Sequence, residues 1–204
     1  GIKPLDVIIT SGKKNLNFDE IFDAIQEYRK QRDVYIVGVT NVGKSTFINS
    51  LVGKACTKTG NKPGVTKQKQ WIRINEKIEL LDTPGVLWPK FESEEVALHL
   101  CFTGSIKEEI LDKVEIAYQL TKFLLENYRT KLCERYKIEN DDIERILGQD
   151  QPENNNIYEI MLEIGKKRGC IMSGGIVDEE KTSRLILDEF KNGKLGKITI
   201  ECPF

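Results

Sequence analysis

Gly38-Val39-Thr40-Asn41-Val42-Gly43-Lys44-Ser45 fits the pattern G-x-x-x-x-G-K-[ST] at every position, and its neighbours come in the order that pattern needs. The run Val34-Tyr35-Ile36-Val37 before it reads as a buried strand, and Lys44 to about Val52 after it reads as a helix. In such a turn the glycines accept backbone angles that aim successive N–H groups at one point. The helix start adds the positive end of its dipole. Asn41, Val42, Gly43, Lys44, Ser45 and Thr46 are therefore the candidate phosphate cradle. Lys44 would reach the outer phosphates and Ser45 would hold Mg²⁺. The plain alternative is a glycine turn with no ligand.

Downstream, residues 54–77 carry seven Lys/Arg and one acid, which predicts a basic loop running into a strand at Gln70–Ile74. Asn75-Glu76 turns that strand into Ile78–Leu81, so a hairpin is expected. It leads to Asp82-Thr83-Pro84-Gly85, a D-x-x-G at a strand end. There a carboxylate can hold Mg²⁺ through water, and the Gly85 N–H can sense a γ-phosphate. Thr66, in Pro63-Gly64-Val65-Thr66, is the candidate third Mg²⁺ ligand, with Thr57 and Thr59 as competitors. Lys44, Thr66, Asp82 and Gly85 are the residues expected to act on the phosphate chemistry. Upstream, Asp6-Val7-Ile8-Ile9 reads as a short buried strand closed by Thr10-Ser11-Gly12. Asn17 then reads as the cap of a helix whose apolar face is Phe18, Ile21, Phe22, Ile25 and Tyr28.

After Pro89 the pattern changes to helical stripes, among them Val114, Ala117, Leu120 and Leu124, then Ile157, Ile160, Met161 and Ile164. Asn140, Asn156 and Asp178 are the expected caps, Gly169 and Gly193 the expected stops, and Lys197–Glu201 a short terminal strand. The expected architecture is α/β: a phosphate-loop domain over 1–92, then a small, mainly helical domain over 93–204.

Leu, Ile, Val and Phe make up 61 of the 204 residues, enough for a real core and too many for a disordered chain. The net charge of −1 excludes a globally basic nucleic-acid coat. Residues 1–92 hold 15 Lys/Arg against 10 Asp/Glu, and residues 93–204 hold 16 against 22. Polyanion binding must therefore come from a local patch, for which the loop of 54–77 and Lys166-Lys167-Arg168 are the candidates. Five scattered cysteines and one histidine offer no zinc spacing and point to reduced thiols, hence a cytoplasmic protein. Neither a membrane-spanning run nor a signal sequence is present, so no membrane partner is expected. The chain opens at Gly1 partway into what reads as a structured unit, as a fragment would.

The phosphate loop, the Thr loop and the D-x-x-G together are the signature of a translation-factor-type GTPase. The Asn-Lys-x-Asp that reads guanine and the Ser-Ala-Lys-like loop that supports it do not follow Gly85. Instead Ser11-Gly12-Lys13, upstream, resembles that support loop. The resulting order is support loop, phosphate loop, Thr loop, D-x-x-G, and it resembles the circularly permuted GTPases. Asn61–Thr66, Gln70-Trp71, Leu80–Pro84, Leu87-Trp88-Pro89-Lys90-Phe91, Thr103-Gly104, Lys167-Arg168-Gly169-Cys170 and Met172-Ser173-Gly174-Gly175 are similar to the RbgA (YlqF) family of large-subunit assembly GTPases. The stretch around the phosphate loop, Asp33–Gly38 with Thr40-Asn41, is closer to the YqeH-type permuted GTPases.

The resemblance implies a circularly permuted, N-terminally truncated GTPase domain, GTP/GDP and Mg²⁺ as ligands, and Ser11, Gly12 and Lys13 beside the base. It also implies docking on the precursor of the large ribosomal subunit and its rRNA through the helical domain. A monomer is expected. Asn41 matches the loop asparagine of potassium-stimulated GTPases, so K⁺ is a possible further ion. Val86 stands where other GTPases carry a water-orienting Gln, which implies slow intrinsic turnover and stimulation by ribosomal particles. His99, at helical spacing from Val96 and Phe102, reads as a structural residue. Trp71 and Trp88 read as core side chains more readily than as RNA platforms. Two other readings stay open: a phosphate-loop NTPase of other base specificity, such as an ATPase, and an RNA-binding module that holds nucleotide without turning it over.

Overall fold

The computed structural model describes residues 7–12, 14–28, 33–53, 70–75, 78–82, 93–106, 112–149 and 152–201. The chain forms two compact units, Gly1–Lys90 and Phe91–Phe204.

In the first unit, helix α1 (Phe18–Tyr28), strand β1 (Asp33–Ile36), helix α2 (Lys44–Val52), and strands β2 (Gln70–Asn75) and β3 (Ile78–Asp82) follow in sequence. The sheet order is β1-β3-β2, with β1 parallel and β2 antiparallel to β3. The register places Val34, Leu80 and Ile72 in one row, hence on one face of the sheet. That face meets Ile48 and Leu51 of α2, with Phe18, Phe22 and Ile25 of α1 packed around them. Burying a Leu or Ile side chain completely contributes about 1.5–3 kcal/mol, so Leu80 and Ile48 anchor this layer. The Phe18 and Phe47 rings meet edge to face at 5.5 Å and tie α1 to α2.

The next row, Tyr35, Leu81 and Trp71, lies on the opposite face. Trp71 is 53% exposed and touches the equally open Tyr35 ring, so it is not the core side chain expected from its sequence setting. Another departure concerns Val7–Ile9, which forms no strand: Val7 and Ile9 are 78% and 77% exposed. An apolar triplet becomes a strand only when a neighbour supplies its ladder, and none among the described residues does. Asn17 sits just before α1 with φ 57°, and its side-chain amide donates to the Ile9 carbonyl at 2.9 Å.

The second unit is built from α3 (Glu94–Phe102), α4 (Lys113–Tyr136), α5 (Asn140–Leu147), α6 (Glu153–Lys167) and α7 (Glu179–Lys191). Leu120, Leu124, Leu132, Ile143, Ile160, Met161, Ile164 and Ile186 are fully buried and form its core. Ser93, Asp112 and Asp178 accept backbone N–H bonds at the starts of α3, α4 and α7. Gly169 and Gly193 follow α6 and α7 in the left-handed conformation that ends a helix cheaply. Asn140 and Asn156 are not caps. Glu139 and Pro152 hold those positions, while Asn156 is buried inside α6 and donates to the Leu147 carbonyl at 3.3 Å.

Helix α4 is kinked at Tyr128 (φ −142°, ψ 33°). The Tyr128 hydroxyl donates to the Thr199 carbonyl at 2.8 Å and accepts from the Thr199 N–H at 3.0 Å. The tail expected to be a strand at Lys197–Glu201 is thus an extended strap held by α4 side chains, with no strand partner among the described residues. His99 is structural, as its spacing suggested: its ring packs on Phe102 and Phe123, and its Nδ1 lies 2.6 Å from Glu201. Inside the bundle, Glu189 of α7 is 4% exposed, and its carboxylate accepts two bonds from Arg135 and one from Arg168, at 2.6–2.9 Å. No described helix is long and apolar enough to cross a membrane.

Candidate functional site

Strand β1 delivers the chain into the loop of Gly38–Gly43, and α2 begins at Lys44. Asn41 has φ 59° and Gly43 has φ 91°, two left-handed residues on one short turn. Asparagine tolerates that region better than other side chains, and glycine has no Cβ to object. Gly43 stands at the N-cap of α2 and, having no side chain, makes no side-chain cap bond to the helix. No acid occupies the first turn of α2 either. A helix start of this kind presents the positive end of its dipole, which suits an anion.

The Lys44 ammonium donates to the carbonyls of Gly38 at 3.0 Å and Val39 at 2.7 Å. It therefore ties the helix start back to the beginning of the loop and places a positive charge there. Ser45 and Thr46 follow in the first turn of α2, and Thr40, within the loop, is buried. A hydroxyl at Ser45 beside a helix start is a hard oxygen donor of the type Mg²⁺ takes. These features fit a Mg²⁺-bound nucleoside polyphosphate.

Two other segments converge on the same place. Register pairs Ile36 with Asp82, so the D-x-x-G aspartate lies one strand over from β1, level with the approach to Gly38. On the helix side, the Gly12 carbonyl accepts a 2.6 Å bond from Ser50 of α2. A Cβ on Gly12 would lie 3.2 Å from the Phe47 Cα and 3.3 Å from its N, so this loop rests directly on the α2 backbone. The loop itself is closed by Ser11, whose carbonyl accepts from the N–H groups of Lys14 and Leu16, both at 3.2 Å.

With strand, loop, helix and neighbouring strand end in place, the comparison with known proteins is direct. Residues 33–161 match the family model described as 50S ribosome-binding GTPase. The chain belongs to the 50S ribosome-binding GTPase family. It is 48% identical over 168 residues to ribosome biogenesis GTPase A of Bacillus cereus, a match covering 82% of this chain and 53% of that protein. With the Priestia megaterium protein of the same name the identity is 42%, over 98% of this chain and 66% of the relative. A structure described as GNP-bound YlqF from T. maritima shares 27% identity at a TM-score of 0.55, over 90% of this chain and 65% of that one. The chain thus spans between about half and two thirds of the length of these relatives.

In this member of the family, then, the structure brings together Asn41–Thr46, the Ser11-Gly12 loop and the Asp82 end of β3. Lys13, Thr66, Gly85, Val86 and Trp88 lie outside the described residues, as does most of the basic stretch of 54–77. Ser50 is the residue that sequence reading missed. It lies 38 positions from its acceptor, and no spacing rule links a mid-helix serine to a glycine of an earlier loop. Glu189 was missed too, although Arg168 had been marked as a basic candidate. Its guanidinium bonds the buried carboxylate at 2.6 Å.

Proposed function

We propose that this chain binds GTP with Mg²⁺ and hydrolyses it to GDP and phosphate, as a factor in late assembly of the large ribosomal subunit. The observation that carries the reading is the seat of Lys44 on the Gly38 and Val39 carbonyls, at a helix start free of acid, beside the strand that ends in Asp82. Family membership and the names of the relatives support the ribosomal part.

In this reading the N–H groups of Asn41–Thr46 hold the β- and γ-phosphates, and Lys44 offsets the charge that develops as water attacks the γ-phosphorus and the bond to the β–γ bridging oxygen breaks. Ser45 and Thr66 and, through water, Asp82 would hold Mg²⁺, which would supply further charge neutralisation there. Gly85 answers to the γ-phosphate. Ser11, Gly12 and Lys13 support the guanine ring, and the order of the motifs makes the domain a circular permutation of the usual GTPase. Asn41 would hold K⁺, which would add positive charge beside the phosphates. Val86 cannot orient water, so turnover is slow until the ribosomal particle completes the site. The helical unit of 93–204 docks the protein on the subunit precursor and its rRNA. The protein works as a cytoplasmic monomer.

Competition of GTP, GDP and ATP for the bound nucleotide, with phosphate release measured with and without large subunits, tests this. Preference for guanine nucleotides and release that rises with large subunits are expected. Equal competition by ATP would remove the guanine assignment, and release indifferent to subunits would remove the ribosomal one.

A further inference from the structure

Between α6 and α7 the chain makes a tight hairpin whose apolar side chains point outward. Cys170 and Val177 are buried and close its base, where Ile171 bridges Val177 in antiparallel fashion. The Cys170 N–H donates to Gly165 of α6 and the Asp178 N–H donates back to Cys170, both at 2.8 Å. At the tip, the Met172 N–H donates to Ile176 at 2.8 Å and the Gly175 N–H to Met172 at 3.2 Å. Gly174 and Gly175 have φ 91° and 79°, angles that strain any side chain although the space beside them is open. The turn is rigid and clamped to two helices, yet Ile171, Met172 and Ile176 are 46%, 49% and 63% exposed. Met172 and Ile176 lie opposite each other across the turn, so these two large apolar side chains share one face of the tip, unlike single scattered ones.

The end of α6 beside the tip is basic, with Lys166 in a surface pair with Glu163 at 3.2 Å and Arg168 bound to Glu189 at 2.6 Å. Lys166 to Val177 holds Lys166, Lys167 and Arg168 and no acid. Acids follow at once in α7, but each is engaged within the protein: Asp178 caps Lys181 at 2.9 Å, Glu180 pairs with Arg184 at 2.7 Å, and Glu179 lies against the Tyr158 hydroxyl. A rigid apolar tip beside a basic run matches RNA. Aliphatic side chains cover ribose and base edges in a shallow groove, while lysines meet the flanking phosphates.

We propose that the Cys170–Val177 hairpin is an RNA-docking tip, with Met172 and Ile176 as its apolar contacts and Lys166 and Lys167 as its phosphate contacts. This rests on the ribosomal reading above and names the surface that carries it. The test is filter binding of the full chain, across a salt series, to protein-free large-subunit rRNA and to purified large subunits. Met172→Ser with Ile176→Ser should weaken rRNA binding at least tenfold with an unchanged salt dependence. Lys166→Gln with Lys167→Gln should flatten the log–log salt dependence by about 1.5, roughly 0.7–0.9 per phosphate contact. Both pairs are exposed, and an unchanged melting temperature checks the fold. If the wild type binds rRNA and both variants match it, the hairpin proposal is wrong. If the apolar variant loses subunits but keeps rRNA, or if the wild type binds subunits but not rRNA, the partner is a protein and the proposal is again wrong. A wild type that binds neither overturns the ribosomal reading itself.

Discussion

The Ser50 hydroxyl of α2 donates to the carbonyl of Gly12, 2.6 Å away and 38 residues earlier in the chain. This bond joins the Ser11-Gly12 loop to the helix that begins at Lys44, so the two candidate nucleotide segments share one scaffold. Replacing Gly12 by Ala puts a methyl 3.2 Å from the Phe47 Cα, against backbone that cannot swing aside. Loop or helix must give by a few tenths of an ångström. Gly12→Ala is expected to weaken GDP binding about tenfold or more and to lower the melting temperature. Ser50→Ala, which removes one hydrogen bond, should cost only about 1 kcal/mol of stability. Fluorescent-GDP titration and thermal melts read both, and a Gly12→Ala protein with native affinity and native melting would separate this loop from the nucleotide.

Lys44→Ala is expected to abolish nucleotide binding, because it removes the ammonium that bridges the Gly38 and Val39 carbonyls and that, in the proposed site, would face the phosphates. Ser45→Ala should leave weak binding that no longer responds to Mg²⁺. Calorimetric titration with GDP at zero and millimolar Mg²⁺ decides. Native, Mg²⁺-dependent affinity in both variants would refute the phosphate-loop assignment.

Potassium gives a third test. Asn41 holds a left-handed turn position with φ 59°, which an alanine adopts at some cost. If its side chain also holds K⁺, phosphate release in potassium buffer should exceed that in sodium buffer, and Asn41→Ala should erase the difference. Val86→Ala should not. A variant that slows release equally in both salts would mean Asn41 serves the turn alone.

The packing of α6 against α7 depends on Gly165. A Cβ there would lie 2.4 Å from the Thr182 Oγ1 and 2.6 Å from the Val177 Cγ1, both in a filled interior. Gly165→Ala should therefore destabilise the protein by about 1–3 kcal/mol, although alanine is the better helix former. Urea unfolding of the two proteins measures this, and the double variant Gly165→Ala, Thr182→Ala should recover part of the loss.

Glu189 links stability to acid. Burial opposes its ionisation, but the Arg135 hydrogen bond and the charges of Arg168, Arg135 and Lys194 outweigh it and hold the carboxyl below its ordinary 4.5. A group whose folded value is depressed contributes stability that is fully present above its unfolded value and fades as pH falls through the folded one. Acid titration of the wild type should thus show a loss beginning near pH 4.5 that Glu189→Gln lacks. At neutral pH the same substitution should cost about 2–4 kcal/mol, less than a wholly buried pair because both arginines are partly solvated. Identical acid limbs in the two proteins would refute the assignment.

Some of this molecule is legible from its sequence alone. The strand–loop–helix around Gly38–Ser45, the β2–β3 hairpin and the helices ended by Gly169 and Gly193 rest on signals that act within a few residues: apolar periodicity, glycine angles and turn chemistry. Chain order also places the D-x-x-G at a strand end. Tertiary structure alone decides the rest. Val7–Ile9 has a strand's composition, but a strand exists only through a partner's hydrogen bonds, and its apolar side chains stand in solvent. Lys197–Glu201 alternates like a strand, yet Tyr128 of a kinked helix claims its backbone. Trp71 has the profile of a core residue, but the register turns it to the open face of the sheet. The Ser50–Gly12 bond and the Glu189–Arg168 pair join residues whose separation along the chain carries no periodic signal. Each was set by which helix faces and strand edges could be buried together, a property of packing that no local window of sequence contains.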